Sequence, residues 1–189
     1  MKHPFPRSFP AASSFRKGIP SVLLVFLAAA LPARSQDLSS VDFRLRDIDG
    51  KEHSFQEILA QVRGSETEPK RGVIIISFWA MWCQPCKQEM KALKPIFEKW
   101  RDKNLHYIAI NVDNPRSLAK VKTYLNAEQL PYLHLLDPNS EVFKKLNGQN
   151  MPYQLIVDEQ GKLIAKRVGF LAGDEKEIEA DILKALERP

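Results

Sequence analysis

Apolar residues gather into two runs in the middle of the chain, interrupted only at Ser77 in the first and at His106 and Asn111 in the second, and recur at spacings of three and four after each run. Val73-Ile74-Ile75-Ile76-Ser77-Phe78-Trp79 is apolar on both faces, as expected of a central strand covered on two sides. Leu105 to Val112 repeats the pattern and predicts a second buried strand. Between them Met90, Leu93, Ile96, Phe97 and Trp100 fall on one side of a helix expected from Cys83 to about Lys103, with a bend at Pro95. Before the first run, Val41 to Arg46 alternates apolar and polar residues, Asp49-Gly50 is a turn signal, and Lys51 to Phe55 reads as the returning strand of a hairpin. Ser54 is a candidate cap for a short helix to about Val62, and Gly64 to Gly72 is a polar loop.

After the second run, Leu118, Val121 and Leu125 share one side of a helix expected from Arg116 to about Asn126. Tyr132 to Leu136 is a short strand, and Ser140 is a candidate cap for a short helix to about Leu146. Gln154 to Val157 and Lys162 to Val168 form a hairpin around Asp158-Glu159-Gln160-Gly161. A closing helix runs from Asp174 to Glu187. The alternation of strands and helices predicts an α/β fold with a mixed sheet between helical layers. It puts the start of the first long helix at the carboxyl end of a central strand, where open sheets carry their chemistry.

The first 35 residues change how composition is read. Lys2, Arg7, Arg16 and Lys17 precede an apolar stretch from Ile19 to Leu31, and Ala33-Arg34-Ser35 supplies small residues at the positions a signal peptidase inspects. Residues 1–35 are expected to be a signal peptide, cut before Gln36, with 36–189 as a single domain. The alternative is an uncleaved N-terminal anchor. Five of the 28 basic residues and none of the 23 acidic ones lie in the leader, which leaves 23 of each. The basic character therefore belongs to the leader and gives no support to a nucleic-acid partner. Export places the chain in the periplasm or elsewhere in the envelope, an oxidising space.

Cys83 and Cys86 are the only cysteines. A strand that delivers Cys-x-x-Cys to the start of a helix is an arrangement for thiol–disulfide exchange. Cys83 is expected to be the exposed attacking residue, its thiolate favoured by free N–H groups and the helix dipole. Cys86 is expected to lie deeper and to resolve the mixed disulfide. Pro85 pre-sets the first helical turn. Zinc needs about four ligands, and the four histidines show no paired spacing, so no metal is expected. No cofactor is expected either. Glu89 lies three residues after Cys86 on the same helix face and is a candidate to take the proton that Cys86 must lose. Trp82 is a candidate to shield the thiolate and to form a docking surface. Trp79 and Trp100 are expected in the core or in helix packing, and His106 and His134 as ordinary strand residues.

Phe78-Trp79-Ala80-Met81-Trp82-Cys83-Gln84-Pro85-Cys86-Lys87-Gln88-Glu89 resembles the signature of the thioredoxin superfamily, and within it the exported TlpA/ResA-like branch. Matching segments at Asp42 to Leu45, Asp49 to Lys51, Ala109 to Asp113 and Met151 to Phe170 extend the likeness over nearly all of the chain after the leader. The resemblance implies a thioredoxin-like three-layer fold with a central mixed sheet, an N-terminal β-hairpin and a helical insertion. It implies a cis bond between Met151 and Pro152, opposite the cysteines and lining the substrate groove. It also implies that Glu89 replaces the buried acid that cytosolic thioredoxins carry in the preceding strand, where this chain has Ser77. The chain departs from the pattern at Lys91, where relatives have a proline, and at Met151, where Thr or Val is usual.

The function expected is that of an exported thiol–disulfide oxidoreductase that acts as a reductase of disulfide-containing client proteins, fed by a membrane thiol electron donor. The resemblance points to apocytochrome c as a client. The rival direction is a disulfide-forming oxidase, since related motifs span roughly −270 to −120 mV. A peroxidase on a similar fold would carry Thr three residues before its cysteine, where this chain has Ala80. A Cu(I)-binding chaperone would use two soft thiolates, with His134 as a further ligand. A monomer is expected.

Overall fold

A computed structural model describes residues 37–188, so the leader lies outside the described residues. The chain opens with a hairpin, β1 (Arg44–Asp47) and β2 (Glu52–Ser54), whose turn is tied by the Asp47 side chain to the N–H groups of Asp49 and Lys51. Strand β1 is shorter than the alternating pattern predicted. Ser54 caps α1 (Phe55–Arg63), its Oγ accepting from Glu57 N–H. Such a cap is worth about 1 kcal/mol.

Strand β3 (Val73–Trp79) leads into α2 (Gln84–Trp100). The helix stops three residues short of the predicted end, and Arg101–Lys103 tightens into a 3-10 turn closed by Asn104 at φ 66°. Strand β4 (Leu105–Asn111) follows, then a 3-10 turn at Pro115–Ser117 and α3 (Leu118–Glu128). The Asn114 side chain caps that turn through Arg116 N–H, so the regular helix starts two residues later than predicted.

Strand β5 (Leu133–Leu136) precedes α4 (Glu141–Lys145). Ser140 does not cap α4. It sits at φ 54° with no side-chain bond to the helix. The cap is Asp137, whose two carboxylate oxygens accept from Glu141 N–H and Phe143 N–H, both at 2.9 Å. A carboxylate serves two orphan donors where a serine hydroxyl serves one. Strands β6 (Tyr153–Asp158) and β7 (Leu163–Val168) form the second hairpin, and α5 (Asp174–Leu186) closes the chain.

The seven strands lie in the order β2-β1-β5-β4-β3-β6-β7. Strands β3, β4 and β5 run parallel, and the two hairpins add antiparallel strands on either side. This is the mixed sheet predicted. Every residue of β3 is buried because both faces are covered. Ile74, Ile76 and Phe78 pack with Phe55 and Leu59 of α1 and Val142 of α4. Val73, Ile75 and Trp79 pack with Met90 and Leu93 of α2, Val121 of α3 and Ile178 and Ile182 of α5. The odd residue on that second face is Ser77.

Ahead of β1, residues 37–41 strap the far end of the sheet. Asp37 pairs with Lys162, Leu38 N–H donates to Gly161 O at 2.8 Å, and the Leu38 side chain is fully buried. Gly161 must be glycine: its φ is +81°, and a Cβ would come within 2.8 Å of Ser39 N.

Candidate active site

The end of β3 and the start of α2 are held by backbone and one carboxylate. Trp79 O accepts from Val112 N–H, and Cys83 N–H closes a turn onto Ala80 O at 3.0 Å. Inside that turn Met81 N–H donates to Asp113 Oδ2 at 2.7 Å, and Asn111 Nδ2 donates to the same oxygen at 2.8 Å. Asp113 thus fixes the loop that presents the cysteines. It lies in a segment noted for its likeness to the thioredoxin branch, but nothing in the sequence connects it to Met81, 32 residues away.

Cys83 is the N-cap of α2 and Pro85 lies in its first turn. The two sulfurs form a disulfide with Cα atoms 5.3 Å apart. Cys86 N–H points at Cys83 Sγ over 3.3 Å, so the helix terminus offers its free donor to that sulfur. Phe78 O lies 4.0 Å from Cys86 Sγ. The exposed cysteine expected at position 83 is not found: Cys83 is 4% exposed and Cys86 1%. Cys83 belongs to the buried cluster that includes Trp79, Ala80 and Phe170. The order of depth is as predicted. Trp82, by contrast, is 72% exposed.

Met151-Pro152 is a cis peptide bond. Tyr153 is paired with Phe78, which brings Pro152 to the cysteine end of the sheet. Pro152 O is engaged by Gly169 N–H at 2.9 Å, and Met151 packs at the margin of the Cys83 cluster.

Glu89 is 1% exposed, beneath the cysteines on α2. Ser77 Oγ donates to its Oε1 at 2.5 Å and Tyr107 OH to the same atom at 3.2 Å. Burial raises the carboxyl from 4.5 to about 7, although Ser77, Tyr107 and Gln154 favour the charged form. Gln154 lies next to Ser77 in the register, close enough to favour the carboxylate, yet neither its amide nitrogen nor its oxygen meets hydrogen-bond geometry with any group. Tyr107 is held as a neutral hydroxyl by burial and by Glu89. Tyr107 and Gln154 were not singled out in the sequence, because each sits in an otherwise apolar strand and reads as core.

The remaining candidates are placed elsewhere. His106 bonds Asn104 and His134 faces Leu130 O, and burial lowers the pKa of both imidazoles. Trp79 is core, and Trp100 donates to Glu179. Lys91 pairs with Glu128 of α3 at 2.6 Å. No helix among the described residues is long and apolar enough to cross a membrane.

The profile of the AhpC/TSA family matches residues 39–166. The chain is 28% identical over 142 residues to the thioredoxin-like protein YneN of Bacillus subtilis, covering 75% of this chain and 76% of that one. It is 22% identical over 128 residues to the thiol-disulfide oxidoreductase ResA of Bacillus cereus, covering 68% of this chain and 66% of the relative, just under two thirds of its length. Among solved structures, a thioredoxin-like protein from Porphyromonas gingivalis superposes with a TM-score of 0.62 at 27% identity, over 76% of this chain and 89% of that one. A thiol:disulfide interchange protein of the thioredoxin family from Chlorobium tepidum gives 0.64 at 21% identity, over 82% and 99%. The fold is thioredoxin-like.

Proposed function

We propose that this chain, which belongs to the AhpC/TSA family, is an exported thiol–disulfide oxidoreductase that reduces disulfides in envelope proteins. The observation that carries this reading is a Cys83–Cys86 disulfide at the N-terminus of α2, with Cys86 N–H on Cys83 Sγ and a buried carboxyl beneath. The names of the ResA relative and the Chlorobium protein support the same chemistry.

In the reduced state Cys83 thiolate attacks a client disulfide. A new S–S bond joins Cys83 to one client sulfur, and the other leaves as a thiolate. Cys86 gives its proton to Glu89 and attacks Cys83 Sγ. The Cys83–Cys86 disulfide forms, the second client thiolate leaves, and the proton on Glu89 is available to it. Two electrons pass to the client, and a thiol donor on the membrane side must restore the dithiol. Trp82 and Met151 supply apolar surface for the client backbone beside Pro152. Apocytochrome c, with its own Cys-x-x-Cys, is the client class that suits such a groove. Export rests on the leader at residues 1–35, cleaved or retained as an anchor.

The test is trapping. Cys86→Ala should accumulate mixed disulfides with a Cys-x-x-Cys peptide and Cys83→Ala should accumulate none; the reverse pattern would exchange their roles. The midpoint potential decides direction. A value near the oxidising end, roughly −120 mV, would turn the reading toward an oxidase.

A further inference from the structure

A polar cluster is buried on the face of the sheet beneath α2. Ser77 of β3, Gln154 beside it on β6 and Tyr107 of β4 meet Glu89 there, and all four are at most 2% exposed. Apolar side chains of similar volume would cover the same ground without the cost of burying polar groups. The hydroxyls also share a target. Ser77 Oγ and Tyr107 OH both donate to Oε1. A carboxyl oxygen has two lone-pair positions, so two donors leave it none for a proton.

We propose that Ser77 and Tyr107 are positioning residues: they hold Oε1 of Glu89 as a fixed acceptor, so that the proton taken from Cys86 is carried on Oε2, and they set the pH at which it is taken. The proposal rests on Glu89 being the proton acceptor for Cys86. Other ionisable groups face the carboxyl as well. Cys83 and Cys86 lie at the start of its own helix, Tyr132 approaches from the strand side, and Asp174 acts from the first turn of α5. Tyr124 of α3 packs on Trp79 instead. None of these donates a hydrogen bond to Glu89. Ser77 and Tyr107 do, and a donor to a carboxylate favours its charged form.

The experiment follows the reduced full chain reacting with one equivalent of Ellman's reagent in a stopped-flow mixer. The first thionitrobenzoate leaves when Cys83 attacks and the second when Cys86 resolves. In the wild type, the rate of the second release should rise with pH through a limb near 7, before the higher limb of the thiol itself. Ser77→Ala and Tyr107→Phe should each move the lower limb upward by about one pH unit, a several-fold loss of rate at neutral pH. Ser77→Thr, which keeps the hydroxyl, should restore it. Glu89→Gln should lack the lower limb, and adding Ser77→Ala to it should move nothing further. A uniform slowing at every pH, or an equal shift in the Glu89→Gln background, would overturn the positioning role while leaving the cysteine chemistry intact. Failure of the wild type to release a second equivalent would overturn both.

Discussion

Replacing Glu89 by glutamine should make the oxidised protein more stable at alkaline pH and not at acid pH. The carboxyl is 1% exposed, and burial lifts it from 4.5 to about 7. Between those values the folded chain holds a proton at this position that the unfolded chain has released. Stability therefore falls as pH rises from about 4.5 through about 7, and levels off above. At about 1.4 kcal/mol per pH unit, the loss comes to roughly 3 kcal/mol. Glutamine has no such titration. Its carbonyl oxygen can accept from Ser77 and Tyr107, and Gln154 Oε1, without a partner in the native protein, is available for its amide hydrogens. Glu89→Gln should thus exceed the wild type by about 1–3 kcal/mol at pH 8 and match it, or fall slightly below, at pH 4.5. Urea unfolding of both oxidised proteins at several pH values measures this, and the disulfide keeps the cysteines from titrating. A stability difference that does not change with pH would refute the account of a buried, elevated carboxyl.

Five further substitutions test the frame around the site. Asp113→Ala removes the acceptor of Met81 N–H and should loosen the cysteine loop, slowing peptide disulfide reduction several-fold while leaving the helix content measured by circular dichroism unchanged. Asp137→Ala uncaps two N–H groups of α4 and should cost about 1–2 kcal/mol in urea unfolding, whereas Ser140→Ala should cost little. Leu38→Ala should cost about 2–4 kcal/mol by the same measurement, and Gly161→Ala about 1–3 kcal/mol, since both disturb the strap at the far end of the sheet.

The parts of this molecule that repeat a period were legible in its residues. Strand β3 could be recognised as central because seven successive positions carry no surface face, and α2 because its apolar residues return every three or four. The cysteine pair was legible because two residues of a rare type stand one turn apart after a buried strand. Contacts between distant segments were not. Ser140 has the chemistry of a helix cap, but the turn before α4 forces it to a positive φ and hands the task to Asp137. Tyr107 and Gln154 look like strand core until β3, β4 and β6 bring them under Glu89. The burial of Cys83 depends on where its sulfur turns, which a list of residues does not state. Asp113 became visible as a clamp only once β4 ran beside β3.

The strap at residues 37–41 meets the sheet beside Gly161, while Asp158, at that same turn, pairs with Val73 at the opening of β3. The sulfurs follow Trp79, six residues on, so a distance of about 20 Å of strand separates the two poles. Immobilising the protein on a bead or electrode through a linker joined ahead of Asp37 will hold it by the quiet pole. Bulky clients will then reach the sulfurs without passing the support.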